Sequence, residues 1–489
     1  MAERVTGGLV GRSALALAAL VRTGQVSARE VVQAHLDRIG QVNGAVNAVT
    51  RVLADEALAA ADRLEGARAA GAPLGPLAGV PVTVKENHDL AGTPTTLGVR
   101  ALAGKVADAD APAVARLRAA GAIPIARTNL PDLMLRWHTD SSLHGATRNP
   151  WDPDRTSGGS SGGDAVAVAT GMAPLGLASD LGGSLRVPAL ASGVAALRPT
   201  PGRVPFAGAP ERPPSMTQQL FAVPGPVGRD VADLHATLEV LAGPDPADPW
   251  SVPAPLDHSA FPPGRRRVAV TLDPGGGGVD PIVEEGVRRA ADALDRAGWQ
   301  VQQAEPPDVD AAARVWMRLV CTEIAATRSD LEQLAGPDAR SFLREALAFS
   351  PPLDRDELVA EFARRTAIAR RWAEFLAVHQ LVLGPTATTP LPPVGYDLGG
   401  PDNVGRLWHG LRLVVAVNAL GLPAVAVPVG HHPSDRLPLG VQLIAGCFQE
   451  LHALAAARDL QAAYPPITPI DPNAAAVQPT AAAPRPQRP

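Results

Sequence analysis

Apolar positions recur along this chain with two periods, and each change of period marks an element. Val31, Val32, His35 and Leu36 share one side at helical spacing. Ser27 and Glu30 stand in front of them as a capping box, with Val26 and Val31 as a hydrophobic staple. A helix over about 28–39 is expected, and the Ala-rich stretch 46–72 reads as a further helix. Leu77 to Val84 is apolar almost throughout and reads as a buried strand ending at Lys85. Asp110 to Gly121 reads as a helix, followed by a strand at 122–126 in which Pro124 removes a ladder donor. A strand at 266–272, a helix from the Asp280-Pro281 cap to Gly298 and a strand at 300–304 complete a strand–helix–strand unit. Such units predict an α/β fold with a substantially parallel sheet. The apolar run from Leu413 to Gly430 is broken by Asn418, Pro423 and Pro428, so it reads as a buried helix and a buried strand rather than a membrane span. Ala14 to Val21 reads as one helix face, because no A-x-A site ends it as in a leader peptide.

Composition narrows what such a fold serves. The 489 residues, 46% hydrophobic, are enough for one oversized domain or two to three ordinary ones. A formal net charge of -5 gives no footprint for nucleic acid, and Arg265-Arg266-Arg267 reads as a solvated strand start. Two cysteines, Cys321 and Cys447, make neither a disulfide framework nor a CxxC metal site. They read as buried thiols of a reducing, cytoplasmic compartment. No His/Asp/Glu cluster has ligand spacing, and His431-His432 lies in a polar loop beside Pro433, so no metal or cofactor is expected. Residues 249–264 are a Pro-rich surface connection, and 470–489 an Ala/Pro/Gln-rich disordered tail.

Three segments carry candidate chemistry: Leu77 to Asn87, Ser157 to Gly163 and Ser179 to Arg186. An apolar strand delivers Lys85, and a desolvated ammonium loses its proton more easily, which makes a usable base. Arginine cannot serve in this way. Lys85 is one of only two lysines in the chain, and the other, Lys105, lies in a polar loop as an ordinary surface residue. Glycines 158, 159, 162 and 163 surround Ser160 and Ser161, where the backbone must take unusual dihedrals or approach something closely. A phosphate loop is one use of such glycines, yet no Gly-Lys-Ser/Thr follows. The turn Gly182-Gly183-Ser184 is suited to presenting N–H groups to a developing oxyanion. Taken singly, each segment also fits an ordinary strand end or tight turn. Together, a base and two serines fit a proton relay to an acyl-transfer nucleophile.

In these segments the chain resembles the amidase signature family. Gly79 to Asn87 matches its lysine strand, Gly158 to Gly163 its GGSSGG, and Asp180 to Ser184 its D-x-G-G-S, with Ser184 falling 24 residues after Ser160. The likeness runs on through Arg127-Thr128-Asn129, Asn149-Pro150-Trp151, Leu197 to Thr200, Gly384-Pro385-Thr386 and Leu437 to Gln442. It implies a large mixed sheet covered by helices on both faces, in one domain over 1–471. Within that domain fall N-terminal helices (1–65), a signature core (66–248), the strand–helix–strand unit (265–305) and a part forming core and pocket (306–471), followed by the tail at 472–489. It further implies Ser184 as nucleophile, Ser160 as relay with a cis peptide bond, Lys85 as base, and an oxyanion site at the N–H groups of Leu181, Gly182, Gly183 and Ser184. The substrate would be a small amide attacked with water, with ester or carbamate cleavage also open, in a monomer or homodimer without nucleic acid or membrane partners. Departures are Arg127 and Arg198 in place of lysines, Asp164 after the GGSSGG, and Ser179 in place of threonine.

Three rival readings stand beside this one. Gly158 to Gly162 also satisfies the G-x-S-x-G elbow of α/β-hydrolase esterases, with Ser160 as nucleophile, but Asn149 to Thr156 does not form the buried strand that elbow needs. A partner-dependent amidotransferase subunit is a second, against which the tail and the region 310–365 look like those of stand-alone amidases. A ligand-binding pseudoenzyme is a third, and intact Lys85, Ser160 and Ser184 oppose it. Leu133, Met134 and Trp137, with Trp316 to Thr322 and Trp408, are the candidate pocket lining, and each also fits plain core packing. As lining they predict an apolar pocket for aryl or alkyl amides.

Overall fold

The computed structural model describes residues 8–208, 214–256, 266–433, 436–466 and 469–472. Among them lie thirteen strands: β1 (Val49–Val52), β2 (Pro81–Lys85), β3 (Ile123–Thr128), β4 (Asp140–Ser141), β5 (Gly145–Ala146), β6 (Leu175–Asp180), β7 (Ala195–Arg198), β8 (Val223–Gly228), β9 (Arg267–Val270), β10 (Gln300–Gln303), β11 (Leu381–Pro385), β12 (Ala424–His431) and β13 (Pro438–Ala445). Eleven form one sheet in the order β1-β3-β2-β6-β8-β7-β12-β13-β11-β9-β10, and β4 and β5 pair separately. Pairing is parallel within β3-β2-β6 and within β11-β9-β10. It is antiparallel at the other contacts of the large sheet. The α/β class holds, with more antiparallel pairing than the strand–helix–strand units suggest. One cause is visible at β12 and β13, which are consecutive and joined by a loop too short for a parallel crossover.

Side-chain alternation sorts the core onto the two faces of the sheet. Val82 and Val84 of β2 join Leu175 and Leu177 of β6, Val425 and Val427 of β12, and Leu439, Val441 and Leu443 of β13 in one cluster. Helices Pro112–Ala119, Val231–Leu241, Pro281–Arg296 and Glu450–Ala463 close it. Residues one step out of phase, such as Ala178, Val382, Ala426 and Ile444, pack with helices Gly162–Ala169, Arg186–Ser192, Val309–Ala326 and Arg412–Leu420. Thr83 and Lys85 are out of phase with Val82 and Val84 and share that second face. The phase of β2 thus sends a lysine inward.

Several expectations need correction at their ends. The helix expected over 28–39 runs over Ala28–Val46, and the one expected over 46–72 is split. Asn47 ends the first helix in the left-handed region, and Asn43 Oδ1 accepts the N–H groups of Ala48 (2.9 Å) and Val49 (2.8 Å), which turns the chain into β1 before helix Ala54–Ala69. Residues 77–80 form a turn, with Gly79 at φ 74°, and β2 begins at Pro81. Pro124 falls where the β2–β3 register shifts, so a bulge absorbs its missing N–H. Cys321 is buried as expected, whereas Cys447 is exposed, since it follows the end of β13. Residues 257–264 of the Pro-rich connection and Arg265 of the arginine cluster lie outside the described residues, as does the tail beyond Pro472. Ile470, assigned to that tail, is instead anchored: its N–H donates to Ala169 O (2.9 Å) and its carbonyl accepts from Arg38 (3.0 Å). Among the described residues no helix is long and apolar enough to cross a membrane.

Candidate active site

Lys85 ends β2 with its side chain wholly buried. Its Nζ lies 2.7 Å from Ser160 Oγ, 2.8 Å from Ser161 Oγ and 3.2 Å from Ser179 Oγ. Desolvation pulls its pKa down from 10.5 to about 7, against the raising influence of the carboxylates Asp164 and Asp180. A lysine in this setting is substantially neutral near pH 7 and accepts a proton from a hydroxyl beside it.

The two serine segments meet the lysine from opposite sides. Ser160 follows a cis Gly159–Ser160 peptide bond. Gly158 is at φ 74°, and a Cβ there would stand 2.6 Å from Pro188 Cα, so only glycine fits between the loop and helix Arg186–Ser192. Among the described residues no strand leads into Ser160, and helix Gly162–Ala169 starts just after it. The elbow geometry of an α/β-hydrolase is therefore missing at this serine. From the other side, β6 runs beside β2 and ends at Asp180, after which the turn 181–184 presents Ser184. Ser161 N–H donates to Ser184 O (3.3 Å), which ties the two segments together. At 9% exposure Ser184 is the most open of the three catalytic candidates. Lys85, Ser160 and Ser184 thus converge on one place.

The turn rests on a buried ionic network. Asp180 accepts from Gly183 N–H (2.8 Å), Leu185 N–H (3.2 Å), Arg186 Nε (3.0 Å) and Asn418 Nδ2 (2.7 Å), with Arg198 3.4 Å away. Burial alone would raise its pKa, but the Arg186 and Arg198 guanidiniums hold it well below the usual carboxylate range. Arg186 also donates to Gln442 Oε1 (2.8 Å) and Asn418 Oδ1 (2.6 Å). Because the Gly183 N–H is engaged by Asp180, the backbone donors left unpaired along the turn, among the described residues, are those of Leu181, Gly182 and Ser184. Gly183, one of the expected oxyanion donors, thus has its N–H turned to Asp180.

Trp137 and Trp316 lie against the same turn. Trp137 Nε1 donates to Gly182 O (2.8 Å) and Trp316 Nε1 to Leu181 O (2.9 Å). Met134 comes three residues before Trp137 on the same loop, half-buried, with its backbone in the left-handed region at φ 62°. The bidentate ion pair of Arg136 with Asp397 (2.7 and 2.8 Å) fixes that loop. Contacts that sequence reasoning missed are the hydroxyls of Ser161 and Ser179 on Lys85, and Asn87, whose Nδ2 donates to Ser179 Oγ (3.1 Å). The second serine of the Gly-rich loop and the asparagine two places after the lysine were their signals. Among the described residues no group of three or more His, Cys, Asp or Glu is placed to hold a metal ion.

Known proteins share this architecture. The family model described as Amidase matches residues 30–454. Indoleacetamide hydrolase of Bradyrhizobium diazoefficiens is 41% identical over 452 residues, covering 92% of this chain and 86% of that protein. A glutamyl-tRNA(Gln) amidotransferase subunit of Acidothermus cellulolyticus is 32% identical, covering 93% of this chain and 95% of that protein. Among solved structures, a bacterial aryl acylamidase of the amidase signature enzymes superposes with a TM-score of 0.81 at 28% identity, covering 94% of this chain and 97% of its own.

Proposed function

The chain belongs to the amidase signature family, and from that premise we propose that it is a stand-alone serine amidase, monomeric or homodimeric, that cleaves small uncharged aryl or alkyl amides. The observation that carries the reading is the buried Lys85, depressed to about 7, with its Nζ 2.7 Å from Ser160 Oγ. In the first step Ser184 Oγ bonds to the substrate carbonyl carbon. The Ser184 proton passes to Ser160, and the Ser160 proton passes to neutral Lys85. The oxyanion is held by the N–H groups of Leu181, Gly182 and Ser184. Collapse of this intermediate breaks the C–N bond, and the relay returns the proton to the departing amine. Water then attacks the acyl-enzyme through the same relay, releasing the acid and restoring Ser184.

Trp137 and Trp316, packed against the turn that carries Ser184, support an apolar acyl site, and Met134 is the further lining residue of this reading. The names of the relatives, an indoleacetamide hydrolase and an aryl acylamidase, agree with an aryl group in it. Membership of a tRNA-dependent amidotransferase complex is the competing reading, favoured by the 32% identity to a protein of that kind over nearly the whole chain. The purified single chain separates the two on a panel of chromogenic amides, esters, carbamates and ureas. Hydrolysis of uncharged aryl or alkyl amides by the chain alone is expected, with Ser184→Ala slower by at least about a thousandfold. An inactive chain supports the partner-dependent reading, and residual activity of Ser184→Ala within about tenfold of the parent rejects Ser184 as nucleophile.

A further inference from the structure

We propose that Trp316 and Trp137 are positioning residues that aim the oxyanion turn, each through one indole N–H on a backbone carbonyl; this rests on the reading of Ser184 given above. A trans peptide unit is planar, with its C=O and N–H pointing in opposite directions, so fixing the oxygen fixes where the hydrogen points. Trp316 Nε1 holds Leu181 O at 2.9 Å, and the other end of that unit is the unpaired Gly182 N–H. Trp137 Nε1 holds Gly182 O at 2.8 Å, and the other end of that unit, the Gly183 N–H, donates to Asp180 Oδ1 at 2.8 Å. One peptide unit is therefore clamped at both ends. Its predecessor is clamped at the oxygen alone, leaving its hydrogen free to meet an oxyanion. Hydrogen bonds in series polarise one another, so donation to Leu181 O also strengthens the Gly182 N–H as a donor.

Buried indoles usually find some acceptor. What distinguishes these two is that, from distant parts of the chain, they take consecutive carbonyls of the turn that carries Ser184. Trp137 comes from the loop after β3 and Trp316 from helix Val309–Ala326. Their ring centroids are 5.8 Å apart, and a Cβ on Gly182 would overlap the Trp316 ring, so the ring lies against the backbone it holds. Trp408 is a built-in comparison. It packs 6.1 Å from Trp137 and 5.8 Å from Trp316, yet its Nε1 has no hydrogen-bond partner among the described residues. Shortening Trp408 reports the cost of lost packing, whereas shortening Trp316 removes packing and the clamp together.

The test compares Trp316→Phe with Trp408→Phe. Replacement of Trp316 by 3-benzothienylalanine, which keeps the bicyclic shape without the N–H, serves if the phenylalanine variant does not fold. Two rates are read: kcat with KM on a chromogenic anilide, and phosphonylation by a fluorophosphonate probe. In the latter the Ser184 Oγ–P bond forms, fluoride leaves and the serine proton enters the relay. Loss of the clamp is expected to lower kcat and the phosphonylation rate at least about tenfold relative to Trp408→Phe, and in the 3-benzothienylalanine variant, which keeps the ring surface, KM is expected to change less than about twofold. Trp316 variants with both rates within about twofold of Trp408→Phe overturn the proposal. Ser184→Ala, labelled as fast as the parent, overturns the assignment of Ser184 instead, so the two failures are distinct.

Discussion

Lys85 is one of two lysines in a chain holding 44 lysines and arginines together, and the role proposed for it, a general base, is one that arginine cannot fill. Arginine keeps its proton at any working pH, so Lys85→Arg is expected to lose nearly as much kcat as Lys85→Ala. A structural ion pair would tolerate the exchange, and an arginine variant with most of the parent's kcat and pH profile would show Lys85 to be structural. The pH dependence follows from the depressed pKa. The neutral amine is the working form, so kcat/KM rises with pH through about 7 and then levels off. The same shift has a stability consequence. Between about 7 and 10.5 the unfolded chain holds a proton on this lysine that the folded chain does not, so stability rises with pH across that window. That the segments of Lys85, Ser160 and Ser184 meet was legible because each lies in a recognisable local pattern. Ser161 and Ser179 were not, because a hydroxyl becomes a lysine ligand only when folding brings the segments together.

At the scale of elements, the site is the junction of β2, β6 and the turn leading into helix Arg186–Ser192. Asp180 closes β6 and gathers two arginines, two backbone N–H groups and Asn418 in a fully buried place. Asp180→Asn removes the charge while leaving Arg186 and Arg198 buried, and is expected to cost about 3–5 kcal/mol of unfolding free energy. Its folded-state pKa is depressed, so its contribution is present above the ordinary carboxylate range and fades as pH falls toward the folded value. Denaturant unfolding at neutral pH measures this, and an unchanged midpoint would mean that the network contributes little. The sequence spacing located the strand–helix–strand unit of β9, helix Pro281–Arg296 and β10 to within a few residues. It missed β1, whose four residues lie inside an Ala-rich run and are separated from the preceding helix by the left-handed Asn47. A cap decided by one asparagine is too local a signal to break a long helical composition.

Across the whole molecule, one sheet holds strands from Val49 to Ala445, and the catalytic candidates sit where β2 and β6, third and fourth from its β1 edge, run parallel. Strand order was not legible, because it depends on long-range packing rather than on any local period. At the C-terminal end, a chain stopped at Pro472 is expected to match the full chain in activity and melting temperature. Stopping at Pro466 removes the Ile470 anchor on Ala169 and Arg38 and is expected to lower the melting temperature. Equal melting of all three would show that the anchor carries no weight. The proposed mechanism turns on which serine is acylated. The most direct measurement is mass spectrometry of acid-quenched enzyme taken during turnover of an activated acyl substrate, with fragmentation of the peptide Thr156–Arg186 that carries both serines. The acyl mass is expected on Ser184 and not on Ser160. An acyl group on Ser160 would contradict the mechanism.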